Sequence, residues 1–294
     1  MSTIGSAVPA VEIRGLTKSF EGGRRRAANG RHRAWLPSRP KRAKLALDHL
    51  DLDIEPGAIT GVIGLNGSGK STLIRILATL TTPDAGEARV FGLDVVRDAS
   101  TVRRYINRVS AEAAFFKEMS PWENLQYAAR LYGEGSGSTR RDAERILSQL
   151  GLPRSALDRP MKGLSRGQQQ KVAITRSLLS SPNLLLMDEP TTGLDPRSKR
   201  EVQNFVRHVH REQGATVILC THDLDEAAQL CSRVVLLDQG RVLADGAPDE
   251  LCQRYPNSND AETTLEDVFL RLSGRSFAED TEDEPEDVCV ENTG

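Results

Sequence analysis

Along the chain, short and fully apolar runs alternate with stretches whose apolar residues return every three to four positions. Residues 11–20 read as a strand. A polar, basic stretch interrupts the pattern, which resumes at 45–54, where Leu47, Leu50, Leu52 and Ile54 include period-2 spacing. Glu55, Pro56 and Gly57 mark a turn, and residues 59–64 form a short buried strand followed by a helix-like stretch at 72–80. From about 98 to 165 the character changes. Helix-like segments at 123–131 and 140–150 are separated by the Gly-rich residues 133–137 and by Gly151, Leu152 and Pro153, which predicts a largely helical insert in an α/β core. Beyond it the pattern predicts a helix at 168–179, an apolar strand at 184–188, a helix at 196–212, a strand at 216–220 and a helix at 225–231. A hairpin over 233–245 with Gln-Gly at its turn and a short helix at 264–272 complete the reading. Strands alternating with helices imply a mostly parallel sheet that binds ligands at the carboxyl ends of its strands.

The length of 294 residues is ample for a buried core in one or two domains. The apolar runs are strand-length, well short of the roughly 20 residues needed to cross a bilayer, and no secretory pattern opens the chain. Cys220, Cys231, Cys252 and Cys289 lack C-x-x-C or zinc-ligand spacing and read as reduced thiols of a cytosolic protein. The net charge of −2 conceals an asymmetry: residues 24–44 hold nine Lys/Arg and no acid, whereas 279–291 hold eight acids and no base. Both segments are poor in apolar residues and are expected to be mobile. The basic stretch suits an anionic membrane surface or nucleic acid, or is a solvated insertion; the acidic tail reads as a solubilising terminus.

Gly64-Leu-Asn-Gly-Ser-Gly-Lys-Ser71 follows the strand at 59–64 and leads into a helix, the context that the pattern G-x-x-x-x-G-K-[ST] requires of a phosphate-binding loop. Gly64, Gly67 and Gly69 permit positive φ and close approach, so the amides from Leu65 through Asn66, Ser68 and Thr72 can converge on a polyphosphate. The helix points its positive end at the same anion. Lys70 supplies a charge for the β- and γ-phosphates, and the Ser71 hydroxyl can sit on Mg²⁺. Downstream, the apolar strand at 184–188 ends in Asp188 and Glu189. A buried strand can hold Asp188 beside the loop where a metal compensates its charge, while Glu189 can take a proton from an attacking water.

Leu164-Ser-Arg-Gly-Gln168, residues 187–196 (Met-Asp-Glu-Pro-Thr-Thr-Gly-Leu-Asp-Pro) and Thr221-His-Asp223 together resemble the ordered motifs of ATP-binding-cassette ATPases over about residues 11–250. A single cassette without membrane spans resembles the ATP-binding subunit of a transporter. The resemblance implies a P-loop NTPase core with a mostly parallel sheet, an antiparallel β subdomain and an inserted helical subdomain (about 98–165). It implies ATP and Mg²⁺ as cofactors and a head-to-tail dimer, homo- or heteromeric. Ser165, Gly167 and Gln168 of one cassette would face the γ-phosphate held by Lys70 and Ser71 of the other, with Asp195 crossing the interface. His222 would bridge the γ-phosphate and Glu189. Asp195 reads equally as a helix N-cap. Phe20 matches the adenine-stacking aromatic, or is a core aromatic at a strand end; Trp35 is a weaker alternative. The termini fall outside the cassette: a flexible stretch at 1–10, an extension at 251–277 and the acidic tail at 278–294.

Two positions depart from the family pattern. Arg166 stands where the signature usually has its first Gly. Ala111 stands where a Gln normally reaches Mg²⁺, and the adjacent Glu112 is the candidate to replace it. Residues 264–274 resemble the end of ATPase subunits of daunorubicin-resistance-type and polysaccharide or lipid exporters, and 115–131 would lie near the surface docking the permease. The implied function is ATP-driven export through a separate permease, at the cytoplasmic face of the membrane. The competing readings are a soluble cassette ATPase acting on nucleic acid or the ribosome, disfavoured by the single cassette and the lack of a coiled-coil arm, and a weakly hydrolysing regulator.

Overall fold

The computed structural model describes residues 8–20, 44–111, 114–131, 133, 136–256 and 263–277. Among them, ten strands form two sheets. The first is antiparallel, in the order β2-β1-β4-β5, from β1 (Val11–Phe20), β2 (Lys44–Ile54), β4 (Ala85–Val90) and β5 (Leu93–Asp94). The second has the order β10-β9-β3-β8-β7-β6. Its parallel strands are β3 (Ile59–Ile63), β6 (Ile106–Ser110), β7 (Leu184–Asp188), β8 (Thr216–Thr221) and β9 (Arg233–Asp238), and β10 (Arg241–Gly246) pairs antiparallel to β9.

β3, β7 and β8 are buried at every position, which is why apolar residues occupy both faces of each and do not alternate with charged ones. Pleating still sorts their side chains onto two faces. Leu185 and Met187 join the core beneath α5 (Arg166–Leu178) and α6 (Pro196–Gln213), whereas Leu184 and Leu186 join the core shared with α1 (Lys70–Leu77) and the antiparallel sheet. The loop following β3 therefore emerges between two packed layers, at the carboxyl end of a central strand.

Several elements differ from the sequence expectation. α1 starts at Lys70, two residues early, because Gly69 enters it in a left-handed conformation at φ 114°. α5 starts at Arg166 because Ser165 and Gln168 form a capping box: Ser165 Oγ accepts from the Gln168 amide, and Gln168 Oε1 accepts from the Ser165 amide. Residues 106–110, read as part of the helical insert, are instead the edge strand β6, paired in register with β7. Ile106-Asn-Arg-Val-Ser has only two apolar residues, so pairing and not pattern makes it a strand. α2 (Ala99–Tyr105) precedes it.

The helical region is α3 (Pro121–Leu131), α4 (Ser136–Gln149), two 3₁₀ turns and the start of α5. Leu125, Ala143, Leu147, Leu157, Met161 and Val172 form its separate core. α7 (Leu224–Leu230) follows β8. The extension after residue 250 packs on the main body. Leu251 of α8 (Pro248–Arg254) and Val268 and Phe269 of α9 (Leu265–Ser273) are fully buried in the same core as Ile63 and Val234. The hairpin turn at Gln239-Gly240 has positive φ at both residues, as a two-residue turn requires. Cys220 and Cys231 are buried free thiols; Cys289 lies outside the described residues. No helix among the described residues is long and apolar enough to cross a membrane.

Candidate functional site

A cleft of about 280 Å³ opens where β3 delivers its loop to α1, lined by the residues from Asn66 to Thr72 together with Phe20, Lys44, Ala46 and Glu189. Asn66 to Thr72, Phe20 and Glu189 are thus brought together from three separate stretches of sequence. Lys70 is almost fully buried, and its ammonium donates to the carbonyls of Gly64 (2.6 Å) and Leu65 (3.1 Å), which folds the loop around it. Its Nζ lies 3.7 Å from Glu189 Oε1. Phe20 ends β1 and is 41% exposed, so it is not a core aromatic; it lines the cleft, and Lys18 Nζ stands over its ring, 5.6 Å from the ring centre. Lys44, counted with the basic stretch, is the first residue of β2 and extends over Gly67. The rest of that stretch, 21–43, and Trp35 with it, lies outside the described residues.

The acids at the end of β7 divide as the pleat dictates. Asp188 is buried, with Oδ1 accepting from the Ser71 hydroxyl (2.9 Å) and Oδ2 from Arg108 Nη2 (2.9 Å). Ser71 and Asp188 thus present hard oxygen ligands side by side at the loop, a pairing that fits Mg²⁺. No cluster of three or more His, Cys, Asp or Glu suited to a metal occurs among the described residues. Glu112 lies outside the described residues, and Ala111 carries no polar side chain.

Glu189 takes a left-handed backbone at φ 52°, uncommon for a residue with a β-carbon, with its amide held by the Cys220 carbonyl of β8 at 2.9 Å. This turns its carboxylate away from Asp188. Oε2 accepts from the Thr192 hydroxyl (2.7 Å) and from His222 Nδ1 (2.8 Å). Burial pushes the Glu189 carboxyl up, but His222, Thr192 and Lys70 together hold it below its ordinary value. His222 moves the other way: the Glu189 hydrogen bond raises it more than burial lowers it. Carboxylate and imidazolium thus each stabilise the other's charged form. His222 is placed by the β8–α7 turn, where Asp223 caps α7 through the Glu226 amide and pairs with Lys199 of α6.

Ser165, Gly167, Gln168 and Asp195 do not line this cleft. They gather elsewhere. A β-carbon at Gly167 would stand 2.6 Å from Ser198 Oγ and 3.4 Å from Asp195 Oδ2, so the starts of α5 and α6 lie in contact. Asp195 does cap α6, accepting from the amides of Arg197 and Ser198. Arg166 lays its guanidinium on Gly193, filling the space a side chain would need there. Sequence reasoning missed Lys44, Ala46, Thr192 and Arg108; of these only Arg108 had a usable signal, since it shares the face of Asp188 once β6 is paired in register.

Comparison with known proteins gives a consistent result. A family model described as ABC transporter matches residues 47–192. The daunorubicin/doxorubicin resistance ATP-binding protein DrrA of Streptomyces peucetius is 40% identical over 242 residues, covering 82% of this chain and 66% of that protein. The chain therefore spans about two thirds of that relative's length. The ABC transporter ATP-binding protein NatA of Bacillus subtilis (strain 168) is 35% identical over 212 residues, covering 72% of this chain and 85% of its own. Among solved structures, a dimeric, post-hydrolysis state of the ATP-binding cassette MJ0796 bound to ADP and Pi superposes with a TM-score of 0.69. It is 26% identical, and the match covers 81% of this chain and 98% of that one.

Proposed function

The chain belongs to the ABC transporter family as an ATP-hydrolysing cassette, and from this we propose that it is the energy-coupling subunit of an exporter, acting as a dimer beneath a separate permease. The observation that carries the reading is the division of its motifs. The cleft holds the phosphate loop and Glu189, to which His222 is hydrogen-bonded, while Ser165, Gly167, Gln168 and Asp195 form a second surface outside it. Two copies arranged head to tail bring the second surface of one onto the cleft of the other. The solved MJ0796 cassette is dimeric, which supports a dimer of this chain.

In that dimer the loop amides and Lys70 would hold the phosphates, Phe20 would stack on adenine, and Ser71 and Asp188 would hold Mg²⁺, with Glu112 a further candidate ligand. Mg²⁺ supplies neutralisation of charge on the β- and γ-phosphate oxygens. Glu189, kept ionised by His222, Thr192 and Lys70, orients the attacking water and takes its proton. His222 fixes the direction of that carboxylate. The partner's α5 N-terminus, preorganised by its capping box, aims amides at the γ-phosphate.

The permease docks in a groove of about 540 Å³ between β6 and the helical region, floored by Phe115, Phe116 and Tyr127. Phe116 and Tyr127 are substantially exposed, an aromatic pair meeting edge to face at 5.4 Å, as suits a buried anchor site for a partner. The resistance relatives support export, and a permease partner would hold the chain at the cytoplasmic face of the membrane. Affinity purification of the tagged chain from detergent-solubilised membranes tests the reading. A polytopic membrane protein retained through washing supports it; a preparation that carries only salt-labile nucleic acid overturns it.

A further inference from the structure

Arg108 lies on β6 opposite Leu186 of β7, and Ser110 lies opposite Asp188. Alternation sends Asn107 toward α5, where its amide donates to the Ser177 carbonyl at 2.7 Å, and sends Arg108 to the other face, the face of Asp188. Its Nη2 donates to Asp188 Oδ2 at 2.9 Å, while Oδ1 of the same carboxylate accepts from Ser71. Arg108 Nε is buried and has no acceptor among the described residues. The same side chain also lines the large groove floored by Phe115 and Phe116. One guanidinium therefore touches both the carboxylate that fits Mg²⁺ and the surface assigned to the permease. At Ala111, by contrast, there is no polar side chain to span the two.

We propose that Arg108 is a positioning residue that links metal occupancy to the groove. Without metal its guanidinium neutralises the buried Asp188 carboxylate. A divalent cation and a guanidinium held on one buried carboxylate repel each other with little screening. Arg108 accordingly gives up Asp188 when the nucleotide–metal complex is present, and its side chain turns into the groove that it already lines. The strand that carries it stays fixed by its register with β7. This inference rests on the ATPase reading above and assigns the linking role to a residue three positions before Ala111.

The test is metal affinity in protein that cannot turn over. With Glu189→Gln present throughout, Mn²⁺ binding to the ATP complex is followed by electron paramagnetic resonance in the Arg108→Met, Arg108→Lys and parent forms. Removing the competing charge should tighten Mn²⁺ about tenfold in Arg108→Met, from the usual strength of a charge-assisted hydrogen bond, and leave Arg108→Lys near the parent. Hydrogen exchange over residues 114–131 should change on adding Mn²⁺ in the parent and not in Arg108→Met. Arg108→Gln keeps a donor toward Asp188 without the charge, and it repeats the measurement if the Met form is too unstable. Unchanged or weaker Mn²⁺ affinity in the uncharged variants, or equal tightening in Arg108→Lys, overturns the proposal. Failure of ATP-dependent Mn²⁺ binding in every form overturns both this and the ATPase reading. Loss of the permease reading alone appears in the pull-down and leaves these affinities as stated.

Discussion

Two glycines of the phosphate loop are glycines for different reasons, and the Gly69→Ala and Gly67→Ala pair separates them. Both have positive φ, 114° at Gly69 and 76° at Gly67. Holding an L-residue in such a conformation costs on the order of 1–3 kcal/mol. Their surroundings differ. A β-carbon at Gly69 would lie 2.4 Å from the Ala46 carbonyl oxygen and 3.0 Å from Leu47 Cδ2. Ala46 is backbone of β2, so it cannot rotate aside, and overpacking adds about 1–3 kcal/mol. At Gly67 the nearest atom is the Lys44 ammonium at 3.2 Å, the end of a flexible side chain. Gly69→Ala should therefore be about 2 kcal/mol more destabilising than Gly67→Ala, or about 4–8 °C lower in melting temperature for a protein of this size. The assay is thermal unfolding of both variants without nucleotide, followed by ATP titration of whichever remains folded. Gly67→Ala should keep most of its stability and lose ATP affinity, because its constraint is backbone conformation facing the phosphate. Melting temperatures of the two within about 1 °C would refute the claim that β2 packs on the loop at Gly69.

Glu189→Gln should retain ATP binding and slow hydrolysis by at least about a hundredfold. In the same variant the His222 imidazole, followed by NMR, should fall back toward its ordinary value, since Glu189 is the main group raising it. The sign follows from linkage. In the native protein the stabilisation from a raised His222 is complete below the ordinary 6.5 and is lost as pH rises through the elevated value; an unaltered titration in Glu189→Gln would remove the pair from the account. Lys70→Ala should weaken ATP about tenfold to a hundredfold, measured by nucleotide titration. Phe269→Ala should cost about 3–5 kcal/mol in urea unfolding, because the ring is fully buried where α9 meets the main core; a loss below about 1 kcal/mol would show that the C-terminal helix is an appendage.

What could be read from sequence depended on where the determining contacts lie. The loop at 64–71 and the Asp195 cap are local, and local chemistry writes itself in spacing. Helix starts were placed late by two residues at α1 and α5 because the entering residue is a left-handed glycine in one case and a capping serine in the other. β6 was hidden because an edge strand with two apolar residues draws its order from β7. α9 was legible as a helix, but its burial in the main core was not, since nothing near it in sequence names Ile63 or Val234 as neighbours. Within the site, Asp188, Glu189 and His222 stand out by motif. Their hydrogen-bond partners are less legible: Thr192 sits in a turn that leaves no periodic trace, and Arg108 is placed on the face of Asp188 only once β6 is known to pair with β7.

The central claim is that ATP is hydrolysed at a site shared between two copies of the chain, and mixing two inactive variants tests it most directly. Lys70→Ala breaks the cleft and spares the Ser165 surface; Ser165→Arg breaks that surface and spares the cleft. Each alone should hydrolyse ATP at background rate. An equimolar mixture should recover activity, because a mixed dimer holds one intact site built from the cleft of one copy and the Ser165 surface of the other. A mixture whose rate stays at the sum of its inactive components, with mixed dimers verified by differential tagging, would contradict the shared site.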